Sequence, residues 1–181
     1  MKVSKEQLAE NRQRILDAAA RLFRERGFEG VTVAHIMAAA GLTHGAFYGH
    51  FGSKEELIAQ SFAHVLFPAT PQADDRTMAD YAQTYLSAAH REQPGKGCLF
   101  SSLGTEVGRG EGAERHTMTK ALKRRIESFT QTAPGVTQQE RRRAAIAGWS
   151  AMVGAMVLAR ICDDPALSDE IMRETREALK G

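Results

Sequence analysis

Residues 41–51 read Gly41-Leu42-Thr43-His44-Gly45-Ala46-Phe47-Tyr48-Gly49-His50-Phe51. Aromatic rings, two histidines and a threonine hydroxyl crowd into a run too short and glycine-rich for an ordinary helix. Metal binding, catalysis and the reading of a polymer surface all suit such a set. The flanking sequence decides between them. Upstream, Thr32 is placed to cap a short helix over Val33 to Ala40, and Gly41 stops it because glycine accepts the left-handed conformation that a helix end needs. Thr43 then predicts the N-cap of a third short helix ending near His50, before a break over 49–52.

The outer flanks are longer helices. Ser4 with Gln7 forms a capping-box pattern ahead of an apolar face of Leu8, Ile15, Leu16, Ala19, Leu22 and Phe23, closed by Gly27. Ser53 with Glu56 repeats the pattern ahead of Leu57, Ile58, Ser61, Phe62, Val65 and Leu66. Two short helices joined at 41–43 between longer ones have the dimensions of a helix-turn-helix.

The rest of the chain is helical in pattern too. Pro68 and Pro71, within "PATPQADD", mark a boundary, and helices are predicted over 77–90, 99–107, 113–132, 137–162 and 168–179. No segment alternates apolar and polar residues over a strand length, so the fold class is all-α. Lys and Arg number 24 against 22 Asp and Glu, so no global basic field points to a polyanion and any such partner is held by local chemistry. Two distant cysteines make no disulfide framework, and the N-terminus lacks an apolar leader, which predicts a cytoplasmic protein with no membrane partner. The uncharged run Ala144 to Ala159 falls short of the about 20 apolar residues that a span requires, and its glycines suit close helix packing.

The stretch from Arg14 to Phe62, "RILDAAARLFRERGFEGVTVAHIMAAAGLTHGAFYGHFGSKEELIAQSF", closely resembles the DNA-binding domain of the TetR family of one-component bacterial repressors. Met37, His44 and His50 are its departures, and they bear on the operator sequence rather than the class. The resemblance implies an N-terminal three-helix helix-turn-helix DNA-binding domain over 8–68 and a C-terminal helical ligand-binding and dimerisation domain over 72–181. It also implies a homodimer on a palindromic double-stranded DNA operator, released by a small-molecule or electrophile effector. Thr32, Thr43, His44, Gly45, Ala46, Tyr48, His50 and Lys54 are then the predicted DNA-binding residues. Thr43 and Lys54 suit phosphates, while His44 and Ala46 suit a guanine edge and a thymine methyl. Gly45 lets backbone approach the bases, and Tyr48 and His50 lie where the family touches phosphates. Phe47 and Phe51 are predicted core, and Tyr48 half core with its hydroxyl outside.

For the C-terminal part, the resemblance implies an effector pocket among Phe62, Tyr81, Tyr85, Cys98, Phe100, Leu103, Phe129 and Trp149, residues that equally suit an ordinary core. Ala147, Gly148, Ala151, Gly154, Ala155 and Leu158 are the predicted dimer face of the long 137–162 helix, which the resemblance implies would join the 168–179 helix and the copies of both in a four-helix bundle. "GKGCLFSSLGTEV" is similar to a branch of the family in which a Gly-Cys-Leu/Pro junction opens the sixth helix and the cysteine senses electrophiles in some members. Cys98 is therefore a candidate redox sensor, at a helix N-terminus beside Lys96. Its alternative role is a small buried residue at a tight junction.

Other functions fit less well. His44 and His50 fall on different faces of a helix with no third ligand beside them, so no metal is predicted. No Gly-rich phosphate loop calls for a cofactor. An enzyme built on Cys98, His90 or His116, and Glu106 would need groups that no spacing brings together, and an inert helical adaptor leaves the chemistry of 43–54 unexplained.

Overall fold

The computed structural model describes residues 4–69 and 76–180. Pro71, the centre of the proline-marked boundary and position 72 lie outside the described residues. Nine α-helices occur among them: α1 (Lys5–Arg26), α2 (Val33–Ala39), α3 (Lys54–Leu66), α4 (Met78–Tyr85), α5 (Ala88–Glu92), α6 (Leu99–Arg109), α7 (Ala113–Thr132), α8 (Gln138–Ile161) and α9 (Pro165–Ala178). Two 3-10 helices, His44–Gly49 and Pro94–Lys96, complete the set, and no strand is found among the described residues.

The helix starts follow the capping residues. Ser4, Thr32, Ser53, Thr77 and Thr137 each accept a backbone N–H three residues on, which satisfies one of the orphan donors of a helix start. Thr137 with Glu140 forms a full reciprocal box. Ser4 and Ser53 do not: Gln7 turns to Glu10 and Asn11, and Glu56 takes the Gly52 N–H instead. Gly27 and Gly41 stop their helices at φ 72° and 68°, the left-handed region that favours glycine.

Three expectations are corrected. The predicted 77–90 helix is two, because Leu86 turns to ψ 61° and Ser87 caps α5 afresh. The recognition element is a short 3-10 helix with Thr43 at its N-cap as expected, but the Thr43 side chain makes no capping hydrogen bond. Leu8, assigned to the apolar face of the first helix, is 43% exposed.

The chain packs as two units, one of residues 1–71 with 102–118, the other of 72–101 with 119–181. In the first, α1 packs on α3 and α2, and α2 on the 3-10 helix, around fully buried Ile15, Phe23, Ile36, Met37, Phe47, Leu57 and Phe62. In the second, α8 packs on α9, α4 and α5 around Tyr85, Leu86, Phe129, Trp149, Met152, Met156 and Met172. Helix α8 is long and apolar enough to cross a membrane by composition, but one side of it, Ala145, Gly148, Trp149, Met152, Ala155, Met156 and Ala159, is buried in this second core.

Candidate functional site

The corner at 41–51 is built from two opposed sides. Phe47 and Phe51 are buried, their rings stacked with centroids 5.9 Å apart, and each such ring removed from water contributes roughly 1.5–3 kcal/mol. Arg12 of α1 closes the rear by donating to the His50 carbonyl and to Gln60 while lying over the Phe51 ring. The other side is open. Thr43, His44 and Gly45 are exposed, and a Cβ on Gly45 or Gly49 would meet nothing within 4 Å. Tyr48 is 71% exposed, so its ring and not only its hydroxyl faces solvent, which corrects the half-core expectation. Its edge meets His44, with ring centroids 6.4 Å apart. Ala46 and His50 are half-buried on the margins.

Thr32 and His35 form a reciprocal capping box at the start of α2. Thr32 Oγ1 accepts from the His35 N–H, and His35 Nδ1 accepts from the Thr32 N–H, which assigns the ring proton to the exposed Nε2. Arg14 is an exposed cation that sequence reading missed. A Cβ on Gly41 would stand 2.6 Å from its guanidinium, so Arg14 lies against the turn. No motif marks it, because the α1 face that meets the turn is defined only by packing. Lys54 is half-buried, and its ammonium donates to the Phe28 carbonyl at 2.6 Å.

In the second unit, Tyr81, Tyr85, Phe100 and Phe129 surround Trp149 with ring centroids 6.1, 5.4, 5.8 and 6.0 Å away. Phe62 and Leu103, placed with them by the sequence, fall in the first unit, where Phe62 packs against Phe28. Cys98 lies half-buried beside this cluster. His90 joins the two: its Nε2 accepts from the Cys98 N–H at 2.9 Å and its Nδ1 pairs with the Tyr85 carbonyl at 2.6 Å. Burial pushes the His90 imidazole below its usual value, opposed by the bond to Tyr85 and helped by the Arg160 charge. Burial likewise raises the Tyr85 phenol, with Cys98 adding to the shift, and the hydroxyl has no hydrogen-bond partner of normal geometry. Arg160 donates to the carbonyls of His90 and Arg91 and to Ser101, and burial lowers its ordinary value.

Along α8, Ala147, Ala151, Gly154 and Leu158 share one open face with the 74% exposed Ile161. Gly148 and Ala155 do not belong to it. A Cβ on Gly148 would run into Met78 Sδ, and Ala155 is 5% exposed, so both serve the core of the unit itself. Among the described residues no three His, Cys, Asp or Glu side chains gather closely enough to hold a metal ion.

Residues 15–60 match the profile described as bacterial regulatory proteins, tetR family. Over those residues the chain is a TetR-family helix-turn-helix domain. The chain is 26% identical over 124 residues to the HTH-type transcriptional repressor DhaR of Mycobacterium sp. strain GP1, covering 65% of this chain and 63% of that protein. It is 46% identical over 55 residues to the HTH-type transcriptional regulator TtgR of Pseudomonas putida, covering 30% of this chain and 26% of the regulator. Its match thus spans less than two thirds of the length of either relative. The fold of a TetR-family regulator from Cytophaga hutchinsonii superposes with a TM-score of 0.74 at 20% identity, covering 100% of this chain and 98% of that one. Reduced NemR of E. coli superposes with a TM-score of 0.67 at 22% identity, covering 94% and 95%.

Proposed function

We propose that the protein is a sequence-specific, DNA-binding transcriptional repressor that acts as a homodimer on a palindromic operator. The observation that carries this reading is the two-sided corner at 41–51. Phe47, Phe51 and Arg12 hold it rigid from behind, while Thr43, His44, Gly45 and Tyr48 face outward with nothing over them. A rigid, outward-facing short helix after a tight turn is what a major groove admits. Thr32, Thr43, Tyr48 and His50 serve the sugar-phosphate backbone, and His44, Gly45 and Ala46 the base edges. Arg14 joins the phosphate contacts.

The homodimer is supported by the open face of α8. Small residues at 147, 151 and 154 allow close approach of a second helix, and Leu158 supplies apolar area. A two-fold pair presents two corners to half-sites of the same symmetry. A small-molecule or electrophile effector acting in the second unit releases the DNA if it prefers a dimer whose corners are out of step with the half-sites. The names of DhaR as a repressor and TtgR as a regulator support the same reading. A cytoplasmic site of action follows from it.

Selection of duplexes from a random pool by the purified chain tests the proposal. Enrichment of an inverted repeat is the expected result, with affinity falling steeply as salt rises. A pool that stays random after repeated rounds at low salt overturns it.

A further inference from the structure

Tyr85 at the end of α4 is 4% exposed, and its buried hydroxyl finds no hydrogen-bond partner among the described residues. Cys98 and Ser101 lie beside it without bonding it. A thiol is a weak acceptor, and the Ser101 hydroxyl is already engaged, donating to the Cys98 carbonyl and accepting from Arg160, each at 3.2 Å. The Tyr85 ring needs no hydroxyl to pack. Its centroid lies 4.5 Å from that of His90, 5.4 Å from Trp149 and 5.7 Å from Tyr81, contacts that a phenylalanine would make equally. A buried hydroxyl without a partner lowers stability, so the tyrosine burdens the fold unless a group from outside the chain meets it. Burial holds the phenol above its usual value and therefore protonated, so the unmet group is a donor in want of an acceptor.

Two guanidinium groups adjoin the same cluster within the second unit. Arg125 of α7 lies 4.6, 5.3 and 5.9 Å from the ring centroids of Tyr81, Phe129 and Trp149. Arg160 of α8 reaches Ser101, beside the Tyr85 hydroxyl. A guanidinium carries five N–H donors in one plane, so Arg125 can serve an anion in addition to its neighbours in the chain. Two such charges favour an anionic guest and oppose a cationic one. Tyr81, Phe100 and Arg125 are only half-buried, so the cluster is not sealed from solvent. Aromatic faces, an unmet O–H donor and positive charge thus meet in one place, and each calls for a different part of the same guest.

We propose that this cluster is the effector site and takes a planar aromatic carboxylate, whose ring packs on Trp149, whose oxygen accepts from the Tyr85 hydroxyl and whose charge is balanced by Arg125. This rests on the reading above in which an effector acting in the second unit releases DNA. Tyr85 is then retained for the guest and not for the fold. The two duties have opposite signatures. Removing the hydroxyl weakens the guest, yet relieves the free chain of an unpaired buried group.

The test uses the full-length chain with 2-naphthoate as the probe and 2-naphthamide as its neutral counterpart. Binding is measured by calorimetry and by the fluorescence lifetime of Trp149, the single tryptophan of the chain. Wild type should bind 2-naphthoate with a change in lifetime, and 2-naphthamide about tenfold more weakly. Tyr85→Phe should lose about tenfold in affinity for 2-naphthoate while melting, without probe, at or above the wild-type temperature. Arg125→Met should bind the two probes alike. Absence of 2-naphthoate binding to wild type, or wild-type affinity in Tyr85→Phe, overturns the proposal. So does a Tyr85→Phe that melts several degrees below wild type, since the hydroxyl would then serve the fold. Equal affinity of wild type for the two probes removes the carboxylate. The effector reading itself is tested apart, on a duplex selected by the wild type. Binding of 2-naphthoate with these signatures that leaves the duplex bound overturns the effector role and leaves the site. Release of the duplex by other small molecules, with no 2-naphthoate binding, overturns the site and leaves the effector reading.

Discussion

Arg12 donates to the backbone carbonyl of His50 at 2.5 Å and lies over the ring of Phe51, 4.4 Å from its centroid. One α1 side chain therefore ties down the last turn of the 3-10 helix by a charge-assisted bond and a cation–π contact. Arg12→Ala should cost about 2 kcal/mol of stability, read as a lower urea midpoint. It should also weaken every selected duplex by a similar factor, since it loosens the support and not a base contact. Arg12→Lys keeps the charge but loses the planar fork that serves His50 and Gln60 together, so it should fall between the two. A urea midpoint for Arg12→Ala equal to wild type contradicts this account.

Gly27 and Gly45 make a matched pair of sites for alanine. At Gly27 an alanine must adopt φ 72°, which costs about 1–2 kcal/mol, and its Cβ must also displace the Glu106 carboxylate. At Gly45 neither penalty exists, because φ is ordinary and the space is open. Gly27→Ala should melt several degrees below wild type, whereas Gly45→Ala should melt at or slightly above it. Gly45→Ala should nevertheless lose DNA affinity, because the added methyl stands where backbone approaches the bases. Thermal melting and duplex binding of both variants check the pair.

Helix starts and stops were legible because they are local. Ser4, Thr32, Ser53, Thr77 and Thr137 act within three residues of themselves, and Gly27 and Gly41 within one turn. The split of 77–90 was harder to read, because one of the groups that hold the break open comes from far along the chain and the other is a histidine ring. Leu86 gives its carbonyl to Arg176 of α9, and the Tyr85 carbonyl is taken by the His90 ring. The corner at 41–51 was legible as a motif, and the burial of Phe47 and Phe51 followed from it. The contact of Lys54 with the Phe28 carbonyl was not legible, because only packing brings that carbonyl to a lysine at a helix start. Gly148 and Ala155 failed for a similar reason. Small residues on an apolar helix signal close approach without saying whether the neighbour is Met78 of the same chain or a second chain.

His90 makes the stability of the second unit depend on pH. Its ring must be neutral, since Nε2 accepts the Cys98 N–H while Nδ1 donates to the Tyr85 carbonyl. The native value lies below the ordinary 6.5, so below pH 6.5 the unfolded chain takes up the proton first. By linkage, stability is fully present above 6.5 and is lost as pH falls from there toward the lowered native value. His90→Gln should flatten that part of the curve. Chemical denaturation at steps from pH 8 to pH 5 measures it, and parallel curves for the two proteins would remove His90 as the cause.

Leu158 is 51% exposed on the open face of α8, beside Ala151 and Gly154. Leu158→Glu puts a charge where the proposed second copy would bury apolar area, and an unpaired buried charge is costly enough to split a dimer. The variant should sediment as a monomer at micromolar concentration with an unchanged helical spectrum. Its affinity for an inverted repeat should fall toward that for a single half-site. Ala155→Glu is the contrasting case, since Ala155 is buried within its own unit and the substitution should unfold the chain instead. A dimer that persists in Leu158→Glu moves the proposed interface elsewhere.

Cys98 precedes α6, half-buried, with its N–H held by His90, and packs beside the cluster that holds Tyr85 and Trp149. A thiol in such polar company differs from one sealed in a core, and an adduct on it would press on the packed Tyr85 and Trp149 rings. Cys98→Ser keeps the backbone bond to His90 and nearly the same volume, so it should fold and bind DNA as the wild type does. If Cys98 is the sensor, N-ethylmaleimide or a mild oxidant should release the wild type from its duplex and leave Cys98→Ser bound. Cys162 is the internal control: it is half-buried at the end of α8, and its thiol is turned to the Asp164 carbonyl. Release that survives in Cys98→Ser and disappears in Cys162→Ser would transfer the role to the α8 end. Release that survives in both would leave the reagent acting elsewhere and end the redox reading.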